Sequence, residues 1–179
     1  LMLRRSLPGG HAWREQLNAG FDSGSVVRAP SPVGATPPPR DEFVLDARFV
    51  LALAAELFQR FSAQPDDAGL RHVGASDGQA VMVGARDISR HNALDKLVGW
   101  SLLSNTPLGN LIVAVDGAIS ASTAHKAARA GARVLVCADK PTAQAVRLAQ
   151  SAGPTLIGRV LEPDRTIFTH PWRIDRSAK

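Results

Sequence analysis

Apolar residues recur at helical spacing over residues 46–64, DARFVLALAAELFQRFSAQ, where Val50, Leu51, Ala54, Leu57 and Phe58 fall on one side. That spacing predicts a helix. The pattern then shortens to two runs, LRHVGAS (70–76) and QAVMVGA (79–85), separated by Asp77-Gly78. This dipeptide predicts a hairpin with a type I′ turn. A second helical pattern starts at Arg90, with Ser89 as its N-cap and Leu94, Leu97, Val98 and Ser101 on the buried face. Strand and helix signals then alternate. NLIVAVDG (110–117) reads as a strand and SASTAHKAARAG (120–131) as a helix closed by Gly131. ARVLVCAD (132–139) is a strand, and PTAQAVRLAQSAG (141–153) a helix opened by Pro141 and followed by Gly153. TLIGRVLE (155–162) and RTIFTHP (165–171) are the final strands. A β-α-β-α-β run predicts parallel strands with helical crossovers. Joined to the hairpin, it gives an α/β fold with a mixed sheet, a three-layer α/β/α sandwich.

The first 40 residues read differently. LMLRRSL (1–7) and AWREQLN (12–18) are short strand candidates around Pro8-Gly9-Gly10, and AGFDSGS (19–25) is a loop. APSPVGATPPPR (29–40) carries five prolines and reads as an extended linker. The expected organisation is an N-terminal part (1–28), the linker (29–40) and an α/β domain (41–179). The chain starts without Met, so a fragment or a processed product is expected.

Composition narrows the class. Hydrophobic residues make up 45% and charged residues 21%, enough for a core. The net charge of +5 is scattered, with three Trp, six Phe and no Tyr. A nucleic-acid surface would interleave aromatics with basic runs, so the balance favours a small anionic ligand. The single cysteine, Cys137, excludes an internal disulfide or a CxxC zinc site within these residues. It lies mid-strand and reads as a buried, inert thiol. No apolar run reaches the ~18 residues of a membrane span, and no signal peptide is visible. The expectation is a cytoplasmic protein that engages neither membrane nor nucleic acid.

The run RDISRHNALDK (86–96) poses the chemical question. Arg90 sits where the helix dipole is already positive. In a parallel sheet, ligands bind at the carboxyl ends of the strands. Those ends are Asp116-Gly117, with Ser120 as an N-cap, and Asp139-Lys140, ahead of Pro141-Thr142. With the Arg90 helix, three helix N-termini can face one crevice and bind a phosphate-like anion. The alternative is that Arg90, at the top of the buried face, is neutralised by Asp87 or another carboxylate as a structural ion pair. His91 and Asp95 are i,i+4 neighbours and can bond each other; Asn92 and Lys96 are neighbours on the far side. His72 lies in a strand and reads as structural, His125 as solvent-facing, His170 as part of a turn. Walker A and H-E-x-x-H motifs are absent, and no metal site is expected.

RDISRHNALDKLVGW closely resembles the E-D-x-G-R-H-N-A-x-D-K run of the formate dehydrogenase accessory sulfurtransferase (FdhD) family. HKAARAGARVLVCADKPTAQAVRLAQSAGPTLIGRV (125–160) is similar to that family's second half, and IFTHPWRI (167–174) to its C-terminal signature. The resemblance implies a cytidine-deaminase-like sandwich and sulfur transfer to the molybdenum cofactor of formate dehydrogenase. It also implies binding of the bis-guanine-dinucleotide form of that cofactor. On this basis Arg90, His91, Asn92, Asp95, Lys96, Ser120, Lys126, Thr142, Phe168, Thr169 and His170 are the expected cofactor-binding residues. The ligand is a molybdopterin guanine dinucleotide or a guanine nucleotide. The partner is formate dehydrogenase or another cofactor-dependent enzyme. A homodimer, or pairing with a homologous subunit, is expected.

The departures matter equally. The family's C-x-x-C loop aligns with NAGFDSGS, placing Ala19 and Asp22 where the cysteines belong. Neither can hold a persulfide, which needs a thiolate. The family's T-G-G-x-H appears as AGLRH, keeping His72 only, and its S-G-R as Asp116-Gly117-Ala118. Arg86 and Ser89 replace the Glu and Gly of the opening run. The N-terminal part of the family domain is also missing from the match. Three readings stay open: a family member that binds its anion without persulfide chemistry; a repurposed enzyme using His72, His91 and Asp116 in acid–base catalysis; and a non-catalytic subunit paired with a fuller homologue. Whether the chain is an enzyme at all stays open with them.

Overall fold

The computed structural model describes residues 42–62 and 69–175. Contacts divide the chain into units 1–34 and 35–179, and every described residue belongs to the second. The strand candidates at 1–7 and 12–18, the loop with Ala19 and Asp22 and the linker at 29–40 lie outside the described residues.

Six strands form a mixed sheet in the order β3-β2-β4-β5-β6-β7: β2 (Arg71–Ser76), β3 (Val81–Asp87), β4 (Ile112–Val115), β5 (Val134–Cys137), β6 (Thr155–Gly158) and β7 (Thr166–Ile167). β4, β5 and β6 are parallel, whereas β2 is antiparallel to both β3 and β4, and β7 to β6. β1 (Leu45–Asp46) pairs in parallel with β8 (Ile174–Asp175) in a separate two-stranded ladder that periodicity did not announce. The helices are α1 (Ala47–Ser62), α2 (Arg90–Leu103), α3 (Ala121–Arg129) and α4 (Ala143–Ala152).

The parallel strands are apolar along their length because both faces are covered. Ile112, Ala114, Val134, Val136 and Ile157 pack against Val50, Leu53, Ala54, Leu57 and Phe58 of α1. The alternate residues Val113, Val115, Leu135, Cys137 and Leu156 face the opposite way, as the two-residue strand period requires. They meet Ala93, Leu94 and Leu97 of α2, Ala124 and Ala127 of α3, and Ala145 and Ala149 of α4.

Four local expectations need correction. The hairpin loop is four residues, 77–80, with a bulge beside Ser76, not a two-residue type I′ turn. Among the described residues only Gly78 of the Asp77-Gly78 pair has positive φ, whereas type I′ needs both. Asp77 Oδ1 instead accepts the amides of Gln79 (2.8 Å) and Ala80 (3.0 Å), folding the loop around its carboxylate. Pro141 precedes α4 rather than opening it, because Thr142 takes the N-cap and accepts from Ala145 N. TLIGRVLE stops as a strand at Gly158, since Arg159 turns to φ +55°. RTIFTHP pairs only at Thr166–Ile167.

Candidate functional site

The carboxyl ends of β4, β5 and β6 share one edge because the three strands are parallel. The chain leaves β4 through Asp116, Gly117 and Ala118 and reaches the N-cap Ser120, whose hydroxyl accepts from Thr123 N. It leaves β5 through Asp139, whose amide donates to Gly117 O at 3.3 Å, while Thr142 N donates to Ile119 O at 3.0 Å. The two exit loops are therefore tied together. Gly158 ends β6 where a Cβ would press on the Pro141 ring and lie 3.0 Å from Phe168 Cε2, so only glycine fits.

α2 delivers Arg90 onto this edge. Its Nε donates to Asp116 Oδ1 at 3.4 Å and its Nη1 to Ala118 O at 3.0 Å. Arg90 is thus held by a carboxylate, but by Asp116 and not Asp87. Asp116 is set by the ladder: β2 and β4 pair Val73 with Val115, and one step further Asp116 N donates to His72 O. Asp116 Oδ2 also accepts the His72 amide at 2.8 Å and lies 3.6 Å from His72 Nδ1. His72 is buried.

Asp87 has a different clientele. It accepts from Ser89 N and Asn92 Nδ2 and pairs with Lys96 at 2.8 Å. The Lys96 ammonium and these donors hold its carboxyl at about 2. Ser89 occupies the N-cap of α2, but its side chain makes no cap bond; Asp87 supplies the carboxylate at that end instead. The expected His91–Asp95 bond is also absent. His91 Nε2 meets Ser122 Oγ at 3.3 Å, and Asp95 pairs with Lys126 at 2.7 Å, because α3 approaches α2 on that flank. Burial, reinforced by the Lys126 charge, lowers the His91 pKa and favours neutral imidazole. Ser122 was not singled out from the sequence, and no local signal marks it.

The remaining candidates separate. Thr142 is exposed and caps α4. Phe168 is half-buried against Gly158. Thr169 and His170 are buried: Thr169 donates to Pro154 O at 2.7 Å and accepts from Leu156 N, and His170 Nε2 meets Ala149 O at 3.0 Å. They fix the C-terminal segment to β6 and α4. His125 is exposed, as expected. Cys137 is fully buried, its thiol donates to Asp139 O at 3.0 Å, and burial pushes its pKa up to about 11. No group of three or more His, Cys, Asp or Glu residues suited to a metal occurs among the described residues. Nor is any helix there long and apolar enough to cross a membrane.

A mixed α/β sheet with Arg90, His72 and the carboxylates of Asp116 and Asp139 at the exit of its parallel strands places the chain in the α/β class. The family model FdhD/NarQ matches residues 15–175, and the chain belongs to that family. It is 36% identical to the sulfur carrier protein FdhD of Cupriavidus necator, over 86% of this chain and 51% of that protein. It is 32% identical to the Bacillus subtilis protein of the same name, over 69% of this chain and 47% of that one. The chain thus spans about half the length of the curated relatives it matches. Its fold is similar to the crystal structure of a protein assigned as a formate dehydrogenase accessory protein from Desulfotalea psychrophila. That match has a TM-score of 0.67 at 24% identity and covers 76% of this chain and 62% of the other.

Proposed function

We propose that this chain is an accessory to formate dehydrogenase or another cofactor-dependent enzyme. It holds an anionic ligand of the molybdopterin guanine dinucleotide type at the strand-exit edge, without persulfide chemistry. The observation that carries the reading is Arg90, a guanidinium placed over the carboxyl ends of the parallel strands. The residues fit one anionic group better than several. Lys96 and Lys126 are engaged by Asp87 and Asp95, and the Ser120 and Thr142 hydroxyls cap their own helices. The bound nucleotide would supply the phosphate; Arg90 would orient it, with His91 and Asn92 beside it on the first turn of α2. The helices on both sheet faces support a cytidine-deaminase-like sandwich as the finer description of the fold. Pairing with a second copy or a homologous subunit belongs to the same proposal and is read by co-purification.

Cys137 supports the absence of sulfur transfer. A thiol with a pKa near 11 and no solvent exposure supplies little thiolate at neutral pH. Incubation with a cysteine desulfurase and cysteine, read by intact mass, is expected to show no persulfide; loading at Cys137 refutes the reading. Calorimetric titration with GDP is expected to show binding that Arg90→Ala removes while circular dichroism stays native.

One contact favours the repurposed-enzyme reading. His72 Nδ1 and Asp116 Oδ2 lie 3.6 Å apart with both side chains mostly shielded, which sets an imidazole beside a carboxylate, the residue types that acid–base catalysis uses. Turnover of a small metabolite that Asp116→Asn abolishes, together with no guanine-nucleotide binding, decides for it.

A further inference from the structure

A guanidinium grips phosphate through two parallel N–H bonds, along either its Nε–Nη2 edge or its Nη1–Nη2 edge. In Arg90 the chain itself occupies one donor of each edge: Nε bonds Asp116 Oδ1 and Nη1 bonds Ala118 O. Nη2 bonds nothing among the described residues and lies 2.7 Å from the position a Gly117 Cβ would take. The two internal partners are not equivalent. Ala118 O is a backbone carbonyl at 3.0 Å, fixed by the Gly117 turn at φ +63°. Asp116 Oδ1 is a side-chain oxygen at 3.4 Å, and Oδ2 stays anchored on the His72 amide at 2.8 Å. Oδ1 can therefore be displaced from Nε without the carboxylate leaving the site.

We propose that Asp116 is a specificity-determining residue, an internal competitor that withholds the Nε–Nη2 edge of Arg90 from phosphate-type ligands. The proposal rests on the ligand-site reading above and gives it a direction. A single acceptor oxygen, as in a carboxylate or carbonyl, needs only Nη2. A polyphosphate must displace Asp116 and then sit beside its charge, with Asp139 Oδ2 only 3.5 Å from the same Gly117 position. Like charges at such distances are unfavourable in a partly shielded site. The site therefore holds a nucleotide phosphate through Nη2 alone and grips it less tightly than it would with Asp116 removed.

The test is calorimetric titration of the whole chain with inorganic pyrophosphate, for wild type, Asp116→Asn, Asp116→Ser, Asp139→Asn and Arg90→Lys, each checked by circular dichroism. Asp116→Asn keeps an oxygen for the His72 amide, and Asp116→Ser covers the case in which Asn fails to fold. Either is expected to tighten pyrophosphate about tenfold, whereas Asp139→Asn, which removes charge without releasing a donor, gains less than about threefold. Arg90→Lys keeps the charge and loses the edge, so the gain disappears when it is combined with Asp116→Asn. Equal gains from Asp116→Asn and Asp139→Asn refute the proposal, because simple charge then explains the effect. Binding by wild type that Arg90→Lys weakens, with no gain in either Asp116 variant, overturns the competitor and leaves the ligand site standing. No binding by any variant refutes both.

Discussion

Replacing Gly117 with alanine separates backbone strain from the placement of Arg90. Gly117 has φ +63°, and a Cβ there would lie 2.7 Å from Arg90 Nη2. Gly131 has φ +87° with nothing within 4 Å of its Cβ position, so it reports the backbone cost alone. That cost is about 1–2 kcal/mol for an L-residue in the left-handed region. At Gly117 the guanidinium must also move. It then forfeits the Ala118 O bond, a net loss of about 1 kcal/mol. The Asp116 contact adds about 1 kcal/mol at most, since its length and side-chain exposures of 22% and 18% place it between surface and buried pairs. Gly117→Ala is therefore expected to cost about 3 kcal/mol and Gly131→Ala about 1–2 kcal/mol. For a chain of this length, about 3 kcal/mol lowers Tm by about 6–12 °C. The assay is urea unfolding followed by tryptophan fluorescence, in wild-type and Arg90→Ala backgrounds. With Arg90 absent, Gly117→Ala should cost no more than Gly131→Ala. Equal costs for Gly117→Ala in the two backgrounds refute the reasoning, because Arg90 would then not lie over the Gly117 turn.

Two further perturbations probe the same edge. Gly158→Ala forces a methyl against the Pro141 ring and 3.1 Å from Asp139 O, neither of which yields easily; a loss of about 1–3 kcal/mol is expected in the same unfolding assay, and a neutral result refutes the tight β6–loop packing. Asp87, held at about 2 against an ordinary 3.8, has a lowered folded-state pKa, so its contribution is complete above 3.8 and disappears as pH falls through about 2. Wild type should accordingly lose stability relative to Asp87→Asn between pH 5 and pH 2, and parallel curves refute the Lys96–Asp87–Asn92 cluster.

What was legible in the sequence followed from periodicity and from groups that act on their near neighbours. Val50, Leu57 and Phe58 repeat at helical spacing, and that spacing is also their burial, so α1 could be placed from pattern alone. Ser120 caps α3 because a hydroxyl three residues from an amide has one obvious use, whereas the Thr142 cap of α4 was hidden behind Pro141. Arg90 was legible as a residue aimed at the top of the core, but its partner was not. Asp87 is three residues away in sequence, yet Ser89 N, Asn92 and Lys96 already claim its oxygens. Asp116 is 26 residues away and becomes available only because β2 and β4 pair in one register, bringing its carboxylate beside His72 and under α2. The same logic moved His91 from Asp95 to Ser122, since Lys126 of α3 outcompetes a half-buried neutral imidazole for the Asp95 charge. Charge pairing in this fold is decided by which loops the parallel strands discharge at one edge. A helix read in isolation therefore gives the right cations and the wrong carboxylates. On the proposal made for Asp116, substitution on that edge is expected to alter how the cation grips a ligand without altering the helix that carries it.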